Sequence, residues 1–248
     1  MKYVITGVGA KNGLGVKIIE ALKEAHQDDI EIIAVCAPGN FPEVEVDNIY
    51  YCDLGDVIET IEAFSEISDE HPLVDCLINC AGANRMDWFE DVIPSEFMNV
   101  MNVNCNSAIF ATQQLLPSLS EAKGTVLNII SMGAHRAFRT SLAYNVSKAG
   151  LKMANEQLAR ELNSKFGITV FGISPNELAG TGMTLENEPE ICRVRGWSPE
   201  EAEEYRVKTS GQAANQTKPE QLAEFIAFLL HKKENHAMMN GVDLYYGD

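Results

Sequence analysis

The run Lys2-Tyr3-Val4-Ile5-Thr6 leads without a break into Gly7-Val8-Gly9-Ala10-Lys11-Asn12-Gly13-Leu14-Gly15, and its reading decides the fold. A short apolar run stopped by Thr-Gly reads as a strand buried on both faces. The glycines that follow allow a tight turn and let the backbone come close to a ligand. An amphipathic stretch begins at Gly13 and runs to Ala25. The turn therefore ends on a helix N-terminus, where unpaired N–H groups and the positive end of the dipole favour an anion. Strand, glycine turn and helix in that order make a cradle for a pyrophosphate. The same turn also serves as a plain β-to-α connection with no ligand.

Further along, strand-like and helical runs alternate. Residues 31–36, 49–52, 74–79, 125–131, 169–173 and 242–246 read as strands, and 57–67, 94–116, 144–166 and 221–230 as helices. The strands are short and apolar without alternation, as in a sheet covered on both faces. Alternating β and α at this spacing predicts an α/β fold with a doubly wound parallel sheet. One crossover lacks a helix, because residues 37–46 hold Pro38 and Pro42. The expected organisation is one domain over residues 1–248, with an acidic, polar excursion late in the chain.

The bulk numbers exclude some classes. The net charge of −17 argues against nucleic acid and anionic membranes as partners, since both demand a positive surface. It also disfavours docking on acidic carrier proteins. No apolar run approaches the roughly 20 residues that span a bilayer. After Lys2 the apolar stretch is too short for a secretory leader, so a cytoplasmic location is expected. The six cysteines (36, 52, 76, 80, 105 and 192) form no paired framework and complete no metal site. They read as small buried hydrophobes.

The features that carry chemistry fall at the carboxyl ends of the expected strands, the edge where open α/β sheets bind ligands. The glycine turn follows the first strand and Asp53 the third. Asn79-Cys80-Ala81-Gly82 follows the fourth, Ser131 ends the fifth and Pro175-Asn176 follows the sixth. Tyr144 and Lys148 stand four residues apart at the start of a long helix, so they share a face. An ammonium there favours the phenolate and lowers a tyrosine pKa, which makes Tyr144 a candidate general acid or base. The pair also reads as an ordinary exposed helix pair. Asn104 lies on an apolar helix stripe with Phe97, Met101 and Ala108, so its amide needs partners: a satisfied core amide, or one that holds a water.

Together these residues resemble the short-chain dehydrogenase/reductase family in its single-domain form, over nearly the whole chain. The resemblance implies a Rossmann-type sheet of about seven strands with helices on both faces. It implies a catalytic set of Asn104, Ser131, Tyr144 and Lys148. Tyr144 would move the hydroxyl proton and Ser131 would hold the substrate oxygen. Lys148 would lower the pKa of Tyr144 and hold the nicotinamide ribose, and Asn104 would anchor a relay water. NADP or NAD would be held by Gly7, Asn12, Gly13, Leu14, Asp53, Leu54, Asn79, Ala81, Gly82, Tyr144, Lys148 and Pro175. The implied reaction interconverts a secondary alcohol and a ketone, in a homodimer or homotetramer packed through residues 94–116 and 144–166. A 3-oxoacyl thioester reductase of the same fold is the alternative. A non-catalytic nucleotide-sensing regulator, or a methyltransferase with the same glycine turn, would have no use for Tyr144 beside Lys148.

The chain departs from the family pattern in four places. The glycine turn is two residues longer than Thr-Gly-x-x-x-Gly-x-Gly, which leaves the contacts of residues 8–12 open. Cys80 replaces an Asn, and Asn176 replaces a Gly whose backbone freedom the turn after the sixth strand ordinarily uses. The second strand ends Ala34-Val35-Cys36-Ala37, with neither an acid for a ribose 2′-hydroxyl nor an Arg for a 2′-phosphate. The missing acid, with Lys11 nearby, tilts the expectation toward NADP. By the resemblance, residues 132–139 and a substrate lid at about 180–215 shape the pocket. They carry Arg136, Arg139, Arg193 and Arg195, which either meet an anionic substrate or pair with Glu186, Glu188, Glu190 and residues 200–204 of the lid itself.

Overall fold

The structure, a computed structural model, describes residues 1–10, 12–26, 29–210, 217–231 and 236–247, with only the backbone of residues 186, 188 and 206–210. Seven parallel strands form one sheet: β1 (Lys2–Thr6), β2 (Glu31–Cys36), β3 (Asn48–Tyr51), β4 (Cys76–Asn79), β5 (Thr125–Ile129), β6 (Thr169–Pro175) and β7 (Asp243–Tyr246). Their order is β3-β2-β1-β4-β5-β6-β7. The winding reverses between β1 and β4, which creates a crevice beyond their carboxyl ends.

Alternation along each strand sends side chains into two separate cores. On one side Tyr3, Ile5, Ile32, Ala34, Ile78 and Leu127 pack under α1 (Leu14–His26) and α9 (Pro219–Leu230). On the other, Val4, Ile33, Val35, Leu77 and Val126 pack under α2 (Val57–Glu70), α4 (Ser107–Gln114) and α6 (Leu142–Phe166). A sheet covered on both faces has no polar face to show, which is why its strands read as unbroken apolar runs. The expected doubly wound architecture is borne out. The β2–β3 connection, with its two prolines, carries no helix.

One helical reading needs correction. The stretch read as one helix over 94–116 is α3 (Pro94–Met101), a π-helical turn over Asn102–Asn106, and α4. A separate α5 (Leu116–Ala122) follows, with a proline in its first turn. The late excursion holds α7 (Gly182–Arg195) and α8 (Pro199–Ser210); its expected continuation over 211–215 lies outside the described residues. Among the described residues no helix is long and apolar enough to cross a membrane.

Candidate active site

The crevice is closed at its base by backbone meeting backbone. Gly7 has φ +76°, and a β-carbon on it would lie 2.7 Å from Ala81 Cα. A β-carbon on Gly15 would lie 2.7 Å from the carbonyl oxygen of Gly7. These two glycines are needed because the turns after β1 and β4 touch at the switch point. Thr6 completes the junction: its Oγ1 accepts hydrogen bonds from the Cys80 and Ala81 amides, each at 3.0 Å. Nothing in the sequence assigned Thr6 that role beyond its place before Gly7.

The turn itself suits a pyrophosphate. Asn12 sits at φ +52°, a conformation asparagine tolerates better than most residues, and Gly13 donates to Ala10 O at 2.9 Å. Leu14 then opens α1, whose first turn holds no acidic side chain, so the positive dipole end is left for an anion. Gly9 packs on Asn40, the residue after Pro38-Gly39 in the β2–β3 connection. Lys11, expected near a 2′-phosphate, lies outside the described residues.

Of the other expected cofactor residues, Asp53 is exposed beyond β3 with its Oδ1 accepting from Gly55 N at 2.8 Å, beside buried Leu54. Asn79 is buried, and its amide donates to Asn128 at 2.9 Å, so its side chain ties β4 to β5. Gly82 is exposed at the crevice rim, and Pro175 ends β6. Asn176 keeps a negative φ and extends the β6–β7 pairing, donating to Tyr246 O at 2.9 Å, so the Gly-to-Asn change leaves this backbone unstrained.

Ser131, Tyr144 and Lys148 come together at the carboxyl end of β5. The Ser131 hydroxyl is hydrogen-bonded to Tyr144 and accepts from Gly133 N at 3.0 Å. A β-carbon on Gly133 would lie 3.0 Å from Cε1 of Tyr144, so that glycine lets the loop close on the phenol ring. Asn145 pins the same loop, donating to Gly133 O (2.6 Å) and Arg136 O (2.9 Å) and accepting from Phe138 N (3.2 Å). Lys148 is buried, its Nζ 2.8 Å from Ile129 O and 6.0 Å from the Tyr144 ring centroid.

Burial dominates the electrostatics. It raises the pKa of Tyr144 above the ordinary tyrosine range, partly offset by the bond to Ser131. It lowers Lys148 to about 8, opposed weakly by the thiols of Cys80 and Cys105. In the chain alone, then, the lysine does not act on Tyr144 as the i, i+4 spacing led us to expect; its ammonium is held on a carbonyl instead.

A stability consequence follows from Lys148. Its folded value, about 8, lies below the usual 10.5. As pH falls from 10.5 toward 8 the unfolded chain takes up the proton first, so folding stability drops, by about 3 kcal/mol in all, and levels off below 8. Lys148→Met is therefore expected to be more stable than wild type at pH 7, with the difference vanishing toward pH 10.5. Urea unfolding of both proteins across that range reads it, and a pH-independent difference would contradict the burial cost assigned to Lys148.

Asn104 lies in the π-helical turn, 1% exposed. Its Oδ1 accepts from Ala83 N (2.7 Å), while Nδ2 donates to Ala83 O (2.8 Å) and Ser147 Oγ (2.9 Å). Both amide hydrogens are thus used in joining the turn after β4 to α6. Four expected catalytic residues are gathered within one crevice, and Thr6, Asn145 and Ser147, which sequence reasoning passed over, hold them there.

Two of the arginines near the crevice hold carboxylates of the protein itself, while Arg195 Nη1 is buried without a hydrogen-bond partner. Arg193 lies 2.6 Å from Glu190, and Arg85 lies 3.1 Å from Asp87. Arg195 donates to Arg139 O (2.5 Å) and stacks between Trp197 (4.8 Å) and Tyr205 (4.5 Å). Arg136 donates to Asn176 at 3.4 Å. The side chains of Glu186 and Glu188 lie outside the described residues.

Comparison with known proteins agrees with this geometry. The family model described as short chain dehydrogenase matches residues 3–191. An acetoacetyl-CoA reductase of Allochromatium vinosum is 27% identical over 203 residues, 77% of this chain and 80% of that protein. A sorbitol-6-phosphate 2-dehydrogenase of Klebsiella pneumoniae is 24% identical over 248 residues, 94% of this chain and 91% of that protein. Among solved structures, a tryptophan variant of actinorhodin polyketide ketoreductase with NADPH superposes with a TM-score of 0.82 at 22% identity, covering 98% of this chain and 94% of that one. The chain belongs to the short-chain dehydrogenase/reductase family, and it is an NAD(P)-dependent oxidoreductase.

Proposed function

We propose that the protein interconverts a ketone and a secondary alcohol, with Tyr144 exchanging the hydroxyl proton. The observation that carries this is the convergence of Tyr144, Ser131 and Lys148 beyond β5, with the phenol already bonded to the serine hydroxyl. Ser131 holds the substrate oxygen and stabilises charge developing on it. A bound nicotinamide supplies or accepts the hydride. Its pyrophosphate would be held by Gly7, Asn12, Gly13 and Leu14, and its adenine end by Asp53 and Leu54. Ala81, Gly82 and Pro175 would hold the nicotinamide end, with Asn79 tying β4 to β5 beside them.

With the cofactor bound, Lys148 would turn from Ile129 O to the ribose hydroxyls, where its charge would lower the pKa of Tyr144. The side-chain amide of Asn104 has no hydrogen left to anchor a relay water, since both are given to Ala83 O and Ser147 Oγ. The lid is α7 with α8; Arg195 of α7 reaches Thr140, which with Arg85, Phe97 and Leu142 lines a shallow depression ending at Ala143, next to Tyr144. Exposed Met98, Val146 and Met153 on α3 and α6 support a homo-oligomer through those helices.

The end of β2, with no acid to repel a 2′-phosphate, supports NADPH over NADH. Parallel fluorescence titration of the purified chain with both nicotinamides tests the cradle and the preference together. The expected result is saturable binding with NADPH the tighter ligand. Tighter NADH overturns the preference, and binding of neither overturns the cradle. Thioester reduction has the name of the Allochromatium relative in its favour, while the charge of −17 weighs against an acidic carrier as partner.

A further inference from the structure

One face of α7 lies along residues 82–88. Met183 Cε is 3.2 Å from where a β-carbon on Gly82 would sit. Asn187 Oδ1 accepts from Asn84 Nδ2 at 3.1 Å, and Val194 O accepts from Trp88 Nε1 at 2.9 Å. Positions 183, 187 and 194 are i, i+4 and i+11, a single helical stripe. The inner end of this seam is the catalytic one, since the same β-carbon on Gly82 would lie 4.0 Å from Lys148 Nζ and 3.7 Å from Asn104 Oδ1.

Within the seam, Asn84 Oδ1 is buried from solvent and has no hydrogen-bond partner. Ala83, just before it, is clamped in both directions by Asn104, so the backbone has no slack to turn the amide elsewhere. A buried polar atom without a partner is costly unless something brings one. The charges flanking the seam do not: Arg85 is on Asp87, Arg193 on Glu190, and Arg195 on Arg139 O and Thr140.

We infer that Asn84 is a specificity-determining residue, and that the substrate is an uncharged ketone or alcohol with a further hydroxyl near the reacting carbon, which bonds the Asn84 amide inside the lid seam. This rests on the reading of Tyr144 and Ser131 given above. A hydroxyl both donates and accepts, so it satisfies the amide oxygen as placed, and the amide nitrogen if the Asn84–Asn187 pair is turned end for end. A carboxylate only accepts, so it would leave the amide oxygen as placed without a donor. An alkyl group does neither. A site built to bond a hydroxyl discriminates against the analogue that lacks it.

The test compares 1-hydroxybutan-2-one with butan-2-one, and with the carboxylate 2-oxobutanoate, using the full chain and its preferred nicotinamide. Wild type is expected to favour the hydroxyketone over both by about tenfold or more in kcat/KM. Asn84→Ala should bring that ratio to about one while leaving nicotinamide affinity unchanged. Asn84→Asp, which keeps an acceptor, should retain the preference over butan-2-one and guards against misfolding of the alanine variant. Melting temperature with hydroxybutanone should rise for wild type and not for Asn84→Ala. A wild type that binds nicotinamide yet favours butan-2-one or 2-oxobutanoate, or reduces none of the three, overturns the inference, as does a preference that survives Asn84→Ala. Failure to bind either nicotinamide strikes instead at the underlying reading.

Discussion

Tyr144→Phe should lower turnover by about a thousandfold and leave nicotinamide affinity unchanged, because the phenol hydroxyl is the group proposed to exchange the proton with substrate oxygen. The ring stays: it packs against Gly133, whose β-carbon position is 3.0 Å from Cε1, and phenylalanine fills the same volume. The hydroxyl loses one bond, to Ser131, and Ser131 keeps its bond from Gly133 N. Steady-state rates and a nicotinamide titration on the same preparation separate chemistry from binding. Full turnover in the variant would remove Tyr144 from the reaction; lost affinity would make it a cofactor ligand first.

Gly7→Val should have the largest effect on folding, about 4 kcal/mol or more, and abolish nicotinamide binding with it. Two penalties act together. At φ +76° a β-branched side chain is in the left-handed region, which costs about 1–2 kcal/mol by itself. Its β-carbon would also meet Ala81 Cα at 2.7 Å and Ala81 N at 2.8 Å, and these are backbone atoms at the end of a central strand. They can yield only by opening the β1–β4 junction that Thr6 closes. Gly39→Val is a fair control: it carries the left-handed cost at φ +83° with no atom within 4 Å of the new β-carbon. Chemical denaturation of the two variants should differ by the clash alone, and equal losses would show that the junction accommodates a side chain.

Much of the site was readable because its chemistry is carried by order along the chain. Ser131 ends a strand, and Tyr144 and Lys148 share a turn of the helix that follows. Parallel topology then delivers every strand end to one edge. The π-helical turn escaped notice because one extra residue in a helical turn hardly disturbs a 3.6-residue apolar pattern. The lid was expected over residues 180–215, but the bounds of α7 were not legible, because its acidic, polar sequence and Pro189 give no apolar stripe.

Local pattern along the chain was enough for the sheet, the two-sided core, the glycine turn and the candidate proton-transfer pair. Each of these is set by local pattern: apolar run length, glycine placement and helical spacing repeat within a few residues and do not depend on distant partners. What the polar groups bond to emerged only once the elements were packed together. Asn104 reaches Ala83 and Ser147, Lys148 rests on Ile129 O, and Asn84 meets Asn187 across 103 residues of chain. A hydrogen bond depends on tenths of an ångström and on angles set by packing of whole elements, and no spacing along one chain contains that information.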